Sequence, residues 1–265
     1  MGKPTTVDDY RKWLKEHLNV DVTHRDKTYY DQVVVGMKAD LEKSIFWGQL
    51  VNNLAELKDR YRLERGYDLY TSPDAPRIVT KPFDSFFLKT FRKNILLNAQ
   101  WPEAPPHGWI TPENWLTKTN DVLRTLLVVK FLDGVEYVSD SMRNCCHHAS
   151  IPCRVDFEAR EEGYYAAHFY VKNEFEIPRM DWDTQRVQVE TELQITTQLQ
   201  ESIRRLLHHY YETRRLNEDS NNNASKKWQW QYKSDEFAAN YLGHILHYVE
   251  GMIMDIRDKQ ERTTI

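Results

Sequence analysis

Residues 186–197, RVQVETELQITT, decide the fold. They are rich in β-branched side chains and alternate in character, as is typical of a β-strand. Side chains two apart on a strand share a face, so Glu190, Glu192 and Gln194 lie on one face and apolar side chains lie on the other. Like charges on one strand face destabilise the strand unless that face is solvated or holds a cation. The row therefore predicts a sheet face that meets water or a cation.

The bulk composition limits the class of protein. The chain has 265 residues, 40% of them hydrophobic and only 9 of them glycine, which predicts one large folded domain or two small ones. No apolar run approaches the roughly 20 residues that span a bilayer, and the N-terminus lacks the apolar core of a secretory signal. We therefore expect a cytoplasmic protein without a membrane segment. A net charge of −4 argues against a general nucleic-acid binder but allows a local basic cleft.

Helical patterns flank the region that contains the strand. Residues 7–19 and 26–64 have helical spacing of apolar side chains and no internal proline, so each range predicts one helix. The predicted apolar face of the second helix consists of Val33, Met37, Leu41, Ile45 and Leu50. At the other end of the chain, Ser234 is a helix N-cap before a long amphipathic pattern.

Between these flanks the patterns alternate between strand and helix. Strands are predicted at 77–80 and 124–132, and a hairpin joined by residues 161–163 precedes the strand at 186–197. The fold class is α+β, with a mixed β-sheet of about five strands. We predict three parts: an N-terminal helical flank at 1–70, a core at 71–216, and a polar linker with a C-terminal helix at 217–265.

Charged side chains gather at the ends of these predicted strands. Asp121 precedes the strand at 124–132, while Lys89 and Arg92 share one face of the first core helix with Lys93, and Lys81 precedes that helix. Mg²⁺ binds one or two carboxylates together with phosphate oxygens, and cationic side chains neutralise the phosphates. Carboxylates opposite a basic face therefore favour a magnesium–triphosphate site, and a solvated charged surface is the alternative.

Four blocks of the sequence resemble motifs of the RelA/SpoT nucleotide pyrophosphokinases. KPFDSFFLKTFRKN is similar to the lysine-led strand–helix motif, and TNDVLRTLLVVKFL is similar to the Asp-led strand. EEGYYAAHFYV resembles the Gly-Tyr-x-x-x-His segment, and VETELQITTQLQESIRRLLHH resembles the Glu-x-Gln-Ile-x-Thr strand with its helix. The blocks occur in family order over about residues 77–213. The resemblance implies a nucleotidyltransferase-like synthetase fold.

It also implies a reaction, which is transfer of the β,γ-pyrophosphate of ATP to the 3′-hydroxyl of an acceptor such as GDP or GTP. By motif position, Asp121 and Glu192 would be catalytic and would hold Mg²⁺. The resemblance assigns the ATP phosphates to Lys81, Lys89, Arg92 and Arg124. It assigns the acceptor to Tyr164, which would stack on the base, to His168, and to Gln194, which would fix the carboxylate of Glu192.

The sequence departs from the family pattern at several arginines. The family's Gly-x-Arg is replaced by residues 124–126, in which Arg124 is displaced. Thr196, Tyr165 and Val79 stand where the family commonly has arginine. Since Arg-to-neutral changes at a phosphate site are not conservative, three alternatives stay open. These are alarmone synthesis, a toxin that modifies the 3′ end of tRNA or makes adenosine alarmones, and a lapsed nucleotide- or partner-binding domain.

Further expectations concern partners. A tRNA acceptor would need cations at the cleft mouth, and the candidates are Arg204, Arg205, Arg214, Arg215, Lys226 and Lys227. A toxin would have a neutralising antitoxin protein, and small synthetases of this family often form homo-oligomers. Because no His-Asp dipeptide occurs in the sequence, we expect no hydrolase domain of the family's His-Asp type.

Overall fold

The computed structural model describes residues 2–71, 75–179, 183–217 and 228–263, without the side chains of 208–217, 228 and 261–263. The helices are α1 (Val7–Leu18), α2 (His24–Lys43), α3 (Ile45–Arg65), α4 (Phe83–Phe91), α5 (Trp115–Lys118), α6 (Leu132–His148), α7 (Gln198–Asn217) and α8 (Asp235–Thr263). The strands are β1 (Val79–Thr80), β2 (Leu123–Val129), β3 (Cys153–Ala159), β4 (Tyr165–Pro178) and β5 (Thr184–Thr197). A π-helical turn, Arg92–Leu96, continues α4, and a 3₁₀ turn, Trp228–Trp230, precedes α8.

The single helix predicted at 26–64 is wrong, because the chain breaks at Ser44. Ser44 has an extended backbone with ψ of 148°, and its hydroxyl accepts a hydrogen bond from the Trp47 amide at 3.1 Å. It therefore ends α2 and caps α3. The break turns Ile45 away from the predicted apolar face, and this side chain is 81% exposed.

The α+β prediction with a five-stranded mixed sheet is confirmed. The strand order is β1-β2-β5-β4-β3, in which β2 and β5 are parallel and the other pairs are antiparallel. The strand predicted at 77–80 is shorter than expected, since only Val79 and Thr80 pair with β2. The predicted hairpin is present, and β4 and β5 are each 14 residues long.

The two faces of the sheet differ in polarity, as the opening stretch predicts. Glu192 of β5 pairs with Arg124 of β2 and with Tyr170 of β4, so these three side chains share one face. The opposite face carries apolar residues such as Leu193 and Ile195, which belong to one hydrophobic cluster with side chains of α1, α2 and α3. The apolar face therefore packs the sheet against the helices, and the polar face is available for a binding site.

Among the described residues, no helix combines the length and apolarity that crossing a bilayer requires. The domain boundaries at residues 70 and 216 stay a prediction.

Candidate active site

The first cluster of the site is built around Asp121, which lies two residues before β2. Lys81 reaches it from the end of β1, where its backbone N–H donates to Val122 O at 2.9 Å. The Lys81 ammonium lies 2.7 Å from Asp121 Oδ2, and the Lys89 ammonium on α4 lies 2.8 Å from Oδ1. Lys89 also donates to Asn120 Oδ1 at 2.9 Å. Two predicted phosphate-binding lysines are therefore held by one predicted metal ligand.

Burial makes this cluster electrostatically strong. Asp121 is only 9% exposed, which by itself favours the neutral acid, yet attraction to Lys89 and Lys81 outweighs burial and lowers the pKa of Asp121 to about 2. Burial lowers the pKa of Lys81, and the charge on Asp121 opposes this effect. The carboxylate is therefore ionised at neutral pH, and an anion that replaced it would find two partly desolvated ammonium groups.

The second cluster is built around Glu192 on β5. Its Oε1 lies 2.8 Å from His168 Nδ1 and 3.0 Å from the Tyr170 hydroxyl, while Oε2 accepts from Gln194 Nε2 at 3.0 Å. The partners come from β4 and β5, whose register places Tyr170 opposite Glu192 and His168 opposite Gln194. Glu192 is 4% exposed, so these hydrogen bonds satisfy a carboxylate that has little access to water.

A hydrogen-bond chain extends from Glu192 to Tyr164. The His168 ring bridges the two side chains, with Nδ1 2.8 Å from Glu192 Oε1 and Nε2 2.9 Å from the Tyr164 hydroxyl. Burial raises the pKa of Tyr164 to about 12, so this hydroxyl keeps its proton at neutral pH. Hydrogen bonds therefore link two predicted acceptor-binding residues, Tyr164 and His168, to the predicted catalytic residue Glu192.

A cleft of about 510 Å³ opens on the polar face of the sheet. It is lined by Lys93, Thr117, Lys118, Thr119, Asn120, Arg154, Lys172, Gln188 and Glu190. Four of these side chains are cationic and one is anionic. Asn120 connects the wall of the cleft to the Asp121 cluster, and Arg154 connects it to the Glu192 cluster through a guanidinium 3.7 Å from the centre of the Tyr170 ring. The net charge of this lining suits a polyphosphate.

The two clusters lie on neighbouring strands, although no described hydrogen bond joins them directly. The parallel partner of Glu192 on β2 is Arg124, three residues after Asp121. Along the strand that offset is about 10 Å, at roughly 3.3 Å per residue. The Asp121 cluster is therefore displaced along the sheet from the Glu192 cluster.

The geometry of the basic helix changes where its cationic side chains gather. Lys89, Arg92 and Lys93 were predicted to share a helical face, and the helix becomes π-helical at Arg92. Lys93 is the residue of this turn that lines the cleft, and its ammonium donates to Lys118 O at 3.3 Å. Arg92 is half-buried beside it. Its predicted contact with ATP stays untested.

Several cleft residues have no counterpart in the sequence-based prediction. Glu190 had no assigned role, and it lines the cleft with Oε2 3.2 Å from Arg154. Arg154, Lys172 and Lys118 were not identified at all. The alternation of polar side chains along β3 and β4 was the available signal, because it places Arg154, Tyr170 and Glu192 on one face once the register is known.

The predicted tRNA-facing cations are only partly described. Arg204 and Arg205 both contact Glu201, at 2.6 and 2.7 Å, and thus neutralise a carboxylate of their own helix. The side chains of Arg214 and Arg215, and the whole of Lys226 and Lys227, lie outside the described residues.

The donor atoms at the site fit a magnesium ion that arrives with a nucleotide. Carboxylate oxygens are the hard ligands that Mg²⁺ prefers. Within the described part of the chain, no group of three or more His, Cys, Asp or Glu side chains could hold a metal ion. A Mg²⁺ ion shared by Asp121 and Glu192 would require their side chains to close the backbone offset of about 10 Å, and phosphate oxygens and water would supply the other ligands.

Neither a protein-family model nor a curated protein matches the sequence. Solved structures do match the fold. A GTP pyrophosphokinase family protein from Streptococcus pneumoniae is 17% identical with a TM-score of 0.50, over 91% of this chain and 95% of that chain. The small alarmone synthetase 1 from Bacillus subtilis, bound to its product pppGpp, is 14% identical with a TM-score of 0.50, over 82% and 95%. A second structure of that synthetase is 15% identical with a TM-score of 0.50, over 90% and 97%. This chain thus shares the fold of the RelA/SpoT-type small alarmone synthetases.

Proposed function

We propose that this protein is a nucleotide pyrophosphokinase, which transfers the β,γ-pyrophosphate of ATP to the 3′-hydroxyl of GDP or GTP. The observation that carries the proposal is a pair of buried carboxylates beside a cation-lined cleft. Asp121, two residues before β2, contacts two lysines, and Glu192, on the neighbouring parallel strand β5, contacts a histidine. The matching structures include a synthetase bound to pppGpp, which supports a guanosine product.

The lysines bind the triphosphate of ATP in this proposal. Lys81 and Lys89 contact a carboxylate in the free protein, and a triphosphate offers them a greater negative charge. Binding of ATP therefore redirects both ammonium groups from Asp121 to phosphate oxygens. Lys93 extends the same cationic surface into the cleft, and Arg124 faces Glu192 across the β2–β5 pair.

Release of Asp121 from the lysines leaves its carboxylate oxygens free for a metal ligand role. Asp121 and Glu192 would hold Mg²⁺, which when bound supplies a Lewis acid that neutralises charge on the phosphate oxygens.

The reaction forms one bond and breaks one bond at the β-phosphorus. The acceptor 3′-oxygen bonds to the β-phosphorus, the bond from that phosphorus to the α,β-bridging oxygen breaks, and AMP leaves with the bridging oxygen. The hydroxyl proton passes to the Glu192 carboxylate, whose hydrogen bonds to His168 and Tyr170 hold it in one orientation. Tyr164 stacks on the acceptor base, and Arg160 lies 5.2 Å from the centre of its ring.

The experiment offers γ-labelled ATP and Mg²⁺ with GDP, GTP, ATP or bulk tRNA in separate reactions. We expect label in a guanosine nucleotide. Label in tRNA or in an adenosine product instead would overturn the acceptor assignment and keep the chemistry. Binding of nucleotides without transfer to any acceptor would contradict the enzymatic proposal and support a lapsed binding domain.

A further inference from the structure

The C-terminal helix α8 packs directly on the turn that ends at Tyr164. This turn, residues 160–164, is closed by Gly163 N–H donating to Arg160 O and by Arg160 N–H donating to Tyr164 O, both at 3.0 Å. Gly163 has φ of +75°, a conformation that glycine adopts without strain. The turn therefore has a defined shape, and α8 is its neighbour.

Two glycines make this contact unusually close. A Cβ atom added to Gly243 of α8 would lie 2.2 Å from Gly163 O, and one added to Gly163 would lie 2.3 Å from Asn240 O. Any side chain at either position would therefore force the helix and the turn apart. The backbone of α8 is thus seated against the backbone of the turn.

Side chains of α8 hold the same turn through hydrogen bonds. His244 Nε2 lies 2.8 Å from Glu161 O, and its Nδ1 lies 2.8 Å from the Tyr165 hydroxyl. Because a carbonyl only accepts, Nε2 donates to Glu161, and Nδ1 pairs with the Tyr165 hydroxyl. The His247 ring stacks on the Tyr165 ring, with centres 3.7 Å apart and planes 5° apart. One face of α8 therefore contacts Glu161, which precedes Tyr164 in the sequence, and Tyr165, which follows it.

The turn is connected to the candidate active site through Tyr164. The Tyr164 hydroxyl lies 2.9 Å from His168 Nε2, and His168 Nδ1 lies 2.8 Å from Glu192 Oε1. A displacement of the turn would move the Tyr164 ring with it, whereas Lys81 follows β1, Lys89 lies on α4 and Asp121 precedes β2.

We infer that α8 positions the acceptor half of the site: the Gly243–Gly163 contact and the His244 bridge set the place of Tyr164. Gly243 and His244 are positioning residues, because they act on the site through the turn. The inference rests on the proposed function for the identity of the acceptor, but the mechanical link from α8 to the turn stands on the contacts alone.

The central variant is Gly243→Ala, and α8 provides its matched control in Gly251→Ala. Both substitutions add one methyl group to the same helix, but the methyl group at Gly251 would meet no atom within 4 Å. A second variant, His244→Leu, removes both hydrogen bonds without placing an atom against Gly163. It keeps the test open should Gly243→Ala fold poorly.

Hydrogen exchange measured by mass spectrometry tests the mechanical link without requiring activity. We expect faster amide exchange in peptides that cover residues 158–166 of Gly243→Ala and His244→Leu. Peptides that cover α4 and β2 should exchange as in the wild type, and Gly251→Ala should match the wild type throughout. Unchanged exchange of the turn in both variants would overturn the inference.

Steady-state kinetics tests the consequence for substrates. We expect the KM for the guanosine acceptor to rise by roughly tenfold or more in Gly243→Ala, since small displacements of positioning groups have large effects. The KM for ATP should stay within about twofold of the wild type. An equal rise in both KM values would indicate general destabilisation and would overturn the positioning role. A wild type that neither binds nor transfers to any acceptor would refute the proposed function, while faster exchange in the turn would still support the link.

Discussion

Lys81 Nζ lies 2.7 Å from Asp121 Oδ2, so a predicted phosphate-binding cation and a predicted metal ligand neutralise each other in the free protein. Lys89 holds the other carboxylate oxygen at 2.8 Å. The arrangement pairs two partly buried ammonium groups with one buried carboxylate before any substrate is present. It also means that Asp121 competes with phosphate for the lysines, which has measurable consequences.

Asp121→Asn should bind inorganic triphosphate more tightly than the wild type does when Mg²⁺ is chelated. The substitution removes the internal anion, so Lys81 and Lys89 interact with phosphate without competition. We expect a gain of several-fold, on the order of 1 kcal/mol, in calorimetric titrations with EDTA. The matched control is Asp84→Asn on α4, which removes an exposed ion pair with Lys27. Weaker binding by Asp121→Asn would show that the lysines do not bind phosphate.

Acid should weaken the wild type more than it weakens Asp121→Asn. The pKa of Asp121 is about 2 in the folded protein against 3.8 in the unfolded chain, so the folded state binds fewer protons between these values. The ionised Asp121 carboxylate therefore stabilises the folded protein fully above pH 3.8, and this stabilisation is lost as pH falls through 2. It amounts to about 2 kcal/mol in the free energy of unfolding. Urea unfolding at pH 5, 4 and 3 measures it. A free-energy difference between the two proteins that does not shrink with acid would refute the Lys81–Asp121–Lys89 assignment.

The contributions of the ring and of the hydroxyl of Tyr164 can be measured with separate substitutions. Tyr164→Phe keeps the ring for stacking and loses only the hydrogen bond to His168, so the KM for the acceptor should change by less than about threefold. Tyr164→Leu removes the aromatic face and should raise that KM by about tenfold, because base–aromatic stacking contributes roughly 1–3 kcal/mol. The KM for ATP serves as the internal control. Equal effects of the two variants would contradict a stacking role.

Glu250 on α8 should destabilise the protein at neutral pH. It is 4% exposed, neither of its carboxylate oxygens has a hydrogen-bond partner among the described residues, and burial raises its pKa. A carboxyl group whose pKa is higher in the folded state than in the unfolded state contributes fully to stability below about pH 4.5, the pKa of the unfolded chain. That contribution is lost as pH rises through the folded pKa.

Glu250→Gln should therefore increase the free energy of unfolding at pH 7.5, and the increase should disappear below pH 4.5. Denaturant unfolding across this range measures the effect. The control is Asp258→Asn on the exposed side of α8, which should change little at either pH. Destabilisation by Glu250→Gln at pH 7.5 would show that the ionised carboxylate is well solvated.

Much of the polar sheet face could be predicted because strand alternation is a local property. The row Glu190, Glu192 and Gln194 follows from period-two geometry, and the Gln194–Glu192 hydrogen bond at 3.0 Å is its direct result. The hairpin at residues 161–163 follows from turn chemistry around Gly163. Local patterns of this kind do not depend on the rest of the fold.

Features that depend on distant contacts or on local helix geometry could not be predicted. The helix changes to π geometry at Arg92, and no residue pattern announces that change. Ser44 reads as an ordinary helical residue until its hydroxyl caps α3. The contact between Gly163 and Gly243 joins residues 80 positions apart, so only the folded chain brings it about.

The most direct test follows the β-phosphate of ATP in the wild type and in Glu192→Gln. With β-labelled ATP, Mg²⁺ and a guanosine acceptor, the proposed reaction places the label in the acceptor nucleotide and releases unlabelled AMP. Glu192→Gln should reduce this transfer by a factor of roughly 10²–10⁴ with an unchanged circular dichroism spectrum, since it removes the group that accepts the hydroxyl proton. Label that stays in ADP or appears in free pyrophosphate, or full transfer by Glu192→Gln, would contradict the account.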